Sequence, residues 1–393
     1  LEQDPAAWFQ SSGGGLQAAE IENLIEARKA ARKAKDFAAA ANNGLKIVTS
    51  VDSGSSEVRA AGLSADGSPA GTIYTVGVQG GSGDITVTVS GGIATIGSTT
   101  LNFTTLGLIP GEWFWLGGDL TGEKFATASD NGFYRIKTVA AHAIVCDRAP
   151  NSVATDTGTG KTIRLFFGNV IKNEQEADIV ARTYQLERKL TSSGYEYLVG
   201  AMPNTLALDI KTADKITLDL NFVAMDVDTA TSAASGSRPD LPSSNYAFNS
   251  SSDFTRLRLL DDTANGSLAT YLQDLKLTID NGVTPAKAIG TIGAIDLVPG
   301  DFAVTGSVEA FFSTVDAVEA VRANDDVALD FALVAKNVGW LFDVPLISLG
   351  DARTKVEKDK PIILPLSMDA AAHETLDHTL LVVFYPYLPS AAQ

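Results

Sequence analysis

Side chains that carry chemistry are scarce in this chain. Its 393 residues include one cysteine, three histidines and three methionines. A lone cysteine makes no intrachain disulfide. With the histidines scattered at His142, His373 and His378, little material remains for a metal centre or a nucleophile–base triad. Cys146 sits in the apolar run Ala143–Cys146, which reads as a small buried hydrophobe rather than a reactive thiol. This cysteine usage suits folding in a reducing compartment such as a cytoplasm. No run reaches the roughly 18 apolar residues that a membrane-crossing helix needs. Leu1-Glu2-Gln3-Asp4-Pro5 has neither the basic start nor the apolar stretch of a signal peptide. The missing Met start points to trimming, processing or missing leading residues. Positive charge is also short: 30 Lys and Arg stand against 47 Asp and Glu, a net charge of −17. That argues against a protein that grips the nucleic-acid backbone, which needs clustered Lys and Arg. It is compatible with a surface past which DNA slides, and equally with simple solubility.

Three near-motifs fail on spacing. Thr157-Gly158-Thr159-Gly160-Lys161-Thr162 resembles the end of a phosphate-binding loop, but Thr155 stands where the first glycine belongs. A strand-like run, Ile163–Phe167, follows instead of a helix whose amides would hold phosphate. His373 and His378 are five positions apart, about 140° round a helix rather than on one face. The pairs Asp261-Asp262 and Asp325-Asp326 read as turn or strand-end residues, since glycosidase chemistry needs two facing carboxylates in a cleft. No catalytic, cofactor-binding or metal-ligating residue is named on these grounds, no cofactor is implied, and an enzyme is not expected.

What is present is strand material. Hydrophobic residues make up 45% and charged residues 20%, a globular composition with length for two or three domains. Residues 16–41 read as one helix, with acidic residues early and basic residues late. After Gly44 the pattern becomes mainly β. Ile85, Val87 and Val89 alternate with threonines before the turn Gly91-Gly92. A compact run of short strands spans about 105–170, with the aromatic cluster Trp113–Trp115 and the turn Asp130-Asn131-Gly132. From about 176 to 390 strand follows strand. Ile216, Leu218, Leu220 and Phe222 share a face, as do Val327, Leu329, Phe331 and Leu333, and Leu380–Tyr385 must be covered on both faces. Asn204–Leu208 and Val315–Arg322 read as turns or short helices. Asp226–Asp253 lacks periodicity and reads as one long loop, either disordered or an arm that orders against a neighbour.

Residues 182–225 carry a resemblance. Arg182–Arg188, Tyr195–Pro203 and the strand ending at Met225 resemble the core of phage tail tube proteins. There a strand with an aromatic-x-x-Glu-Arg pattern leads to a Tyr-rich turn with Gly-Met. Phe302–Phe312, Leu329–Phe331, Asp343–Gly350 and Lys358–Pro361 are similar to later parts of that family, in the same order. Asn131–Ile136 resembles a small β domain inserted in its larger members. Ser56-Glu57-Val58-Arg59 matches a segment near the family's usual start, whereas the basic helix before it does not.

The resemblance implies a mainly β tail-tube-type sandwich or barrel with an inserted small β domain and one N-terminal helix. The expected divisions are an arm and helix at 1–44 and β-rich tube domain or linker at 45–104. The inserted domain follows at 105–170, and the main tube domain at 171–393 with its loop at 226–253. It further implies a structural virion protein, made in the host cytoplasm, whose hexameric rings stack head to tail into a hollow tube that DNA traverses. The partners implied are further copies of the chain, a tape measure protein, a tail terminator, and distal tail or baseplate proteins. DNA would pass the lumen without sequence-specific binding. The competing reading is a β-rich adhesin or decoration protein that recognises carbohydrate, with Trp113 and Trp115 as a sugar-stacking platform.

Overall fold

The computed structural model describes residues 46–52, 57–60, 63, 75–173, 179–234, 247–261, 267–269, 271–312 and 315–393. The helix expected at 16–41 lies outside them. The chain divides into two units, Leu1–Tyr74 and Thr75–Gln393. In the first, β1 (Val48–Asp52) and β2 (Glu57–Ala60) form an antiparallel hairpin with Val51 opposite Val58.

The second unit begins with β3 (Gly77–Gln79), β4 (Thr86–Ser90), β5 (Ile93–Gly97), β6 (Trp113–Leu116), β7 (Gly132–Ala140), β8 (Ala143–Arg148) and β9 (Arg164–Phe166). They make one seven-stranded sheet in the order β3-β9-β6-β7-β8-β5-β4. Strands β3–β5, grouped above with a stretch of tube domain or linker, thus hydrogen bond into the same sheet as the aromatic cluster. β4 and β5 join through Gly91 and Gly92, at φ 57° and 80°. Such two-residue hairpin turns need positive φ at both positions, which glycine adopts without strain. The alternation of Ile85 and Val87 delivers both side chains to a core shared with Phe103, Phe114, Tyr134 and Ile144. Asp84 caps this fold: its carboxylate accepts from Ser98 Oγ, Thr99 N and Oγ1, and Thr100 N and Oγ1 at 2.6–3.1 Å. Burial alone would raise its pKa; the hydroxyls of Ser98, Thr100 and Thr99 reverse that and hold it well below the carboxylate range.

The remaining strands are β10 (Asn169–Lys172), β11 (Tyr184–Thr191), β12 (Gly194–Lys211), β13 (Thr217–Val223), β14 (Asp226–Ala230), β15 (Phe254–Asp261), β16 (Ser267–Ala269), β17 (Leu272–Asp280), β18 (Thr284–Ala286), β19 (Asp296–Val298), β20 (Ala303–Phe311), β21 (Val327–Ala335), β22 (Val338–Gly350), β23 (Ile363–Ala370) and β24 (Leu381–Tyr385). One helix, α1 (Asp316–Ala323), lies between β20 and β21. Asp316 and Glu319 open it, Arg322 closes it, and Asn324 at φ 56° caps it through N–H bonds to Ala320 O and Val321 O. Thirteen strands form one antiparallel sheet, with the path β11-β12-β17-β20-β23-β22-β21-β15-β16 and β10, β13, β14 and β24 branching from it. Its core gathers Leu208, Leu275, Leu277, Val304, Leu329, Phe331 and Leu366.

Four sequence expectations are corrected here. Asn204–Leu208 is neither turn nor helix but part of the 18-residue β12. The Tyr-rich stretch around Tyr195–Met202 is likewise strand. Gly200, at φ 62°, puts a kink there, and β12 changes partners from β11 and β14 to β13 and β17. A Cβ at Gly200 would approach Met225 Sδ to 2.7 Å. The long loop from Asp226 opens with β14, whose Val227 and Thr229 pair with Leu198 and Glu196 of β12. Its middle, 235–246, lies outside the described residues. Finally, β21 is buried along its whole length rather than on one face. Leu329, Phe331 and Leu333 face the core of the thirteen-stranded sheet, while Asp330 on the other side meets Arg256.

Candidate assembly surface

Strand β13 has apolar side chains that the chain does not bury. Its register sets Leu218 beside Leu208 and Leu220 beside Leu206, while β17 sets Leu277 and Ile279 on the other side of those residues. Directly opposed residues share a sheet face. Leu218 and Leu220 therefore extend the face that carries the core. Yet Leu208 and Leu277 are buried, whereas Leu218 is 52% and Leu220 47% exposed. The alternation visible in the sequence is real, but it marks an uncovered margin of the core. Among the described residues β13 has β12 as its one strand neighbour. Its outer side is thus a sheet edge, the feature through which chains add to one another.

The arm beyond Gly200 continues this exposed zone. β11 and β14 flank the first half of β12. Tyr184, Val199 and Val227 are exposed there, and Asp219, Asp226 and Asp228 lie exposed nearby. Tyr184 meets Phe222 edge-on at 6.3 Å between ring centres. The end of the arm is tied by Tyr197 Oη, which donates to Ser232 O at 2.8 Å. Ala234 N donates to Glu187 Oε2 at 2.9 Å.

The seven-stranded sheet is fixed to the larger sheet by a buried polar junction. Asp343, fully buried, accepts from Trp113 Nε1 at 2.8 Å and Arg135 Nη1 at 3.2 Å. Arg135 also donates to Asp147 at 3.0 and 2.9 Å. Burial disfavours its charge, but Asp343 and Asp147 outweigh that and hold it protonated. The guanidinium of Arg256, paired with Asp330, lies 4.6 Å over the Trp113 ring. Arg258 donates to Ala149 O at 3.0 Å, and Tyr385 Oη to Trp113 O at 2.7 Å. Phe133 packs on Tyr385, and Phe166 on Tyr387. This is how β24 comes to be covered on both faces, as its continuous apolar run requires. Sequence reasoning had no means of finding the junction, because Trp113 and Asp343 are 230 residues apart.

The residues examined for chemistry sit in structural roles. Trp113 and Trp115 are buried, with Trp115 Nε1 donating to Gly117 O at 2.9 Å. No sugar could stack on them. Gly158 and Gly160 take positive φ in a turn, and Lys161 Nζ donates to Thr121 O at 3.0 Å. Cys146 is buried, and burial pushes its thiol well up. His378 is buried against Leu376 O at 2.8 Å, and burial lowers its pKa. His373 instead lies in the turn that precedes it, where Thr375 N and Leu376 N donate to its Nδ1. Glu112 is raised by burial to about 7, against a backbone bond from Ile109 N that lowers it. Among the described residues no three His, Cys, Asp or Glu side chains are grouped to hold a metal ion. No described helix is long and apolar enough to cross a membrane.

Two comparisons bear on this surface. The model of a family described as phage tail tube protein matches residues 34–370. A short segment of 42 residues is 57% identical to part of a cysteine–tRNA ligase of Parvibaculum lavamentivorans, covering 10% of this chain and 9% of that protein. The chain spans so small a part of that ligase that the likeness carries nothing about the rest of either protein. The family match, in contrast, covers most of the strands described above.

Proposed function

The chain belongs to the phage tail tube protein family, a structural component of the virion tail, and from that premise we propose how it builds a tube. Neighbouring subunits join edge to edge through β13, so that the uncovered margin at Leu218 and Leu220 is closed by the next copy. Six subunits complete a ring. Rings then stack head to tail, a heterologous contact that does not close on itself and so generates a filament. DNA passes through the lumen to the host, and the acidic balance of −17 keeps phosphates from sticking to its wall. A tape measure protein, a tail terminator and distal tail or baseplate proteins bound the tube. The subunit is made in the host cytoplasm and works as scaffold, not as an enzyme.

The observation that carries this reading is a core face continuing, without cover, to a sheet edge. An edge left exposed with leucines on it is an aggregation hazard unless assembly consumes it. Negative-stain electron microscopy of the purified protein tests it, with and without the tape measure protein. Rings or tubes of uniform width are expected. A protein that stays monomeric at high concentration in both conditions would overturn the proposal.

A further inference from the structure

The connection between β18 and β19, which pair through Pro285 and Leu297, exposes apolar residues at its tip. Ile289 is 107% and Ile292 101% exposed, more open than any other large hydrophobic residue described. A glycine follows each, in the order Ala288-Ile289-Gly290-Thr291-Ile292-Gly293. The base of the hairpin is held firmly. Val283 and Leu297 pack with Met202, Val223 and Met225, and Ala294 N donates to Met225 O at 2.8 Å. A braced hairpin that carries two bare isoleucines is shaped to insert into something.

A groove lies at the other end of the strand that leads into the hairpin. The hairpin leaves β17 at Asp280, and around Leu272, where β17 starts, a groove of about 360 Å³ opens. That is within the size range of pockets that hold small ligands, roughly 300–1,000 Å³. Its apolar lining includes Ile210, Phe254, Leu257 and Leu272. Asp274 also lines it, and its Oδ1 is shielded from solvent with no hydrogen-bond partner. A buried acceptor without a donor is costly. Lys287, exposed at the base of the hairpin, has the charge and the donors to satisfy it. Tyr271, exposed beside the groove, adds an aromatic of the kind that anchors interfaces.

Resting on the tube reading above, we propose that Ile289 and Ile292 of one subunit insert into the Leu272 groove of a subunit in the next ring. The base of the hairpin and the groove sit at opposite ends of a nine-residue strand, about 27 Å apart at the rise of an antiparallel strand, and the bond from Ala294 N to Met225 O holds the hairpin at the far end. A subunit therefore cannot fill its own groove. The contact is head to tail, and each subunit offers one tip and one groove, so it repeats along the tube axis.

Cross-linking tests this directly. Ile292→Cys and Gln273→Cys are placed in one chain, where Cys146 is buried and silent. The intervening strand is far longer than the roughly 7 Å between Cα atoms that a disulfide spans, so every bond formed is between subunits. Mild oxidation is expected to give a ladder of dimers, trimers and longer chains on a denaturing gel. Mixing the two single-cysteine proteins should give dimers only. Ile289→Asp/Ile292→Asp, on fully exposed positions, should retain its far-ultraviolet circular dichroism, form rings, and fail to stack. If tubes form but no ladder appears and the double aspartate variant stacks normally, the inference is overturned while the tube reading stands. If the unmodified protein forms neither rings nor tubes, both fall.

Discussion

Replacing Leu218 and Leu220 by lysine should separate assembly from folding. Burying a leucine fully is worth about 1.5–3 kcal/mol. About half of each side chain is still open in the subunit, 52% and 47%, so closing the seam gains about 1 kcal/mol per leucine. Losing both costs about 2 kcal/mol per contact, roughly 30-fold in association. Lysine adds the cost of desolvating two ammonium groups, so this is a lower bound. Within the proposed ring every boundary between copies bears the loss, and the ring population should fall far more steeply than one contact. The folded subunit should hardly notice, because substitutions of exposed residues usually stay within about 0.5 kcal/mol. Sedimentation velocity across a concentration series reads the assembly threshold, and urea unfolding reads the subunit. A variant that assembles at the same concentration as the parent would refute the seam. So would a variant whose subunit loses several kcal/mol, since the leucines would then belong to the core.

The buried junction makes a different prediction. Asp343→Ala leaves the Trp113 N–H without an acceptor in a dry site and leaves Arg135 with Asp147 as its remaining carboxylate, and should cost about 3 kcal/mol of subunit stability in urea unfolding. Asp343→Leu combined with Arg135→Met removes the charged pair together and should recover part of the loss, the Trp113 N–H staying unpaired; a double variant as unstable as the single would refute the pairing argument. For Glu112, the folded pKa of about 7 lies above its ordinary 4.5. The folded state therefore holds a proton that the unfolded chain has lost. Its contribution is full below about 4.5, and stability declines as pH rises toward 7, by on the order of 3 kcal/mol. Glu112→Gln should flatten that slope in unfolding measured from pH 4.5 to 8, and an unchanged slope would assign it to other groups. Removing 235–246 alone should leave β14 and the turn at Asn249–Asp253 intact and give rings that stack poorly. Tubes of normal length from that deletion would exclude a bridging role.

Much of the fold was legible from patterning. Period-two alternation marks Ile85–Val89 and Ile216–Phe222, and the paired glycines mark the β4–β5 turn, because strand geometry and turn dihedrals are local constraints. The continuous run at Leu380–Tyr385 correctly demanded cover on both faces. The errors came where tertiary neighbours override local preference. Asn204–Leu208 looks like a turn by residue type, yet β13 and β17 on either side make it strand. Tyr195–Met202 corresponds to a Tyr-rich turn in the family it resembles, yet here it is strand, and Gly200 redirects it between two sets of partners.

The sequence by itself determined which side chains are scarce: three separated histidines and one cysteine in an apolar run. It also determined the β class and the order of features shared with a family, since both are written in local pattern. Only the tertiary structure decided which apolar residues are left over. Leu218 and Leu208 have the same local signature of alternating leucines. Leu208 is buried and Leu218 waits at an edge, because burial depends on which strands the fold sets beside them. Alternation says that a strand has an apolar face; it does not say whether the cover comes from the same chain or from another copy.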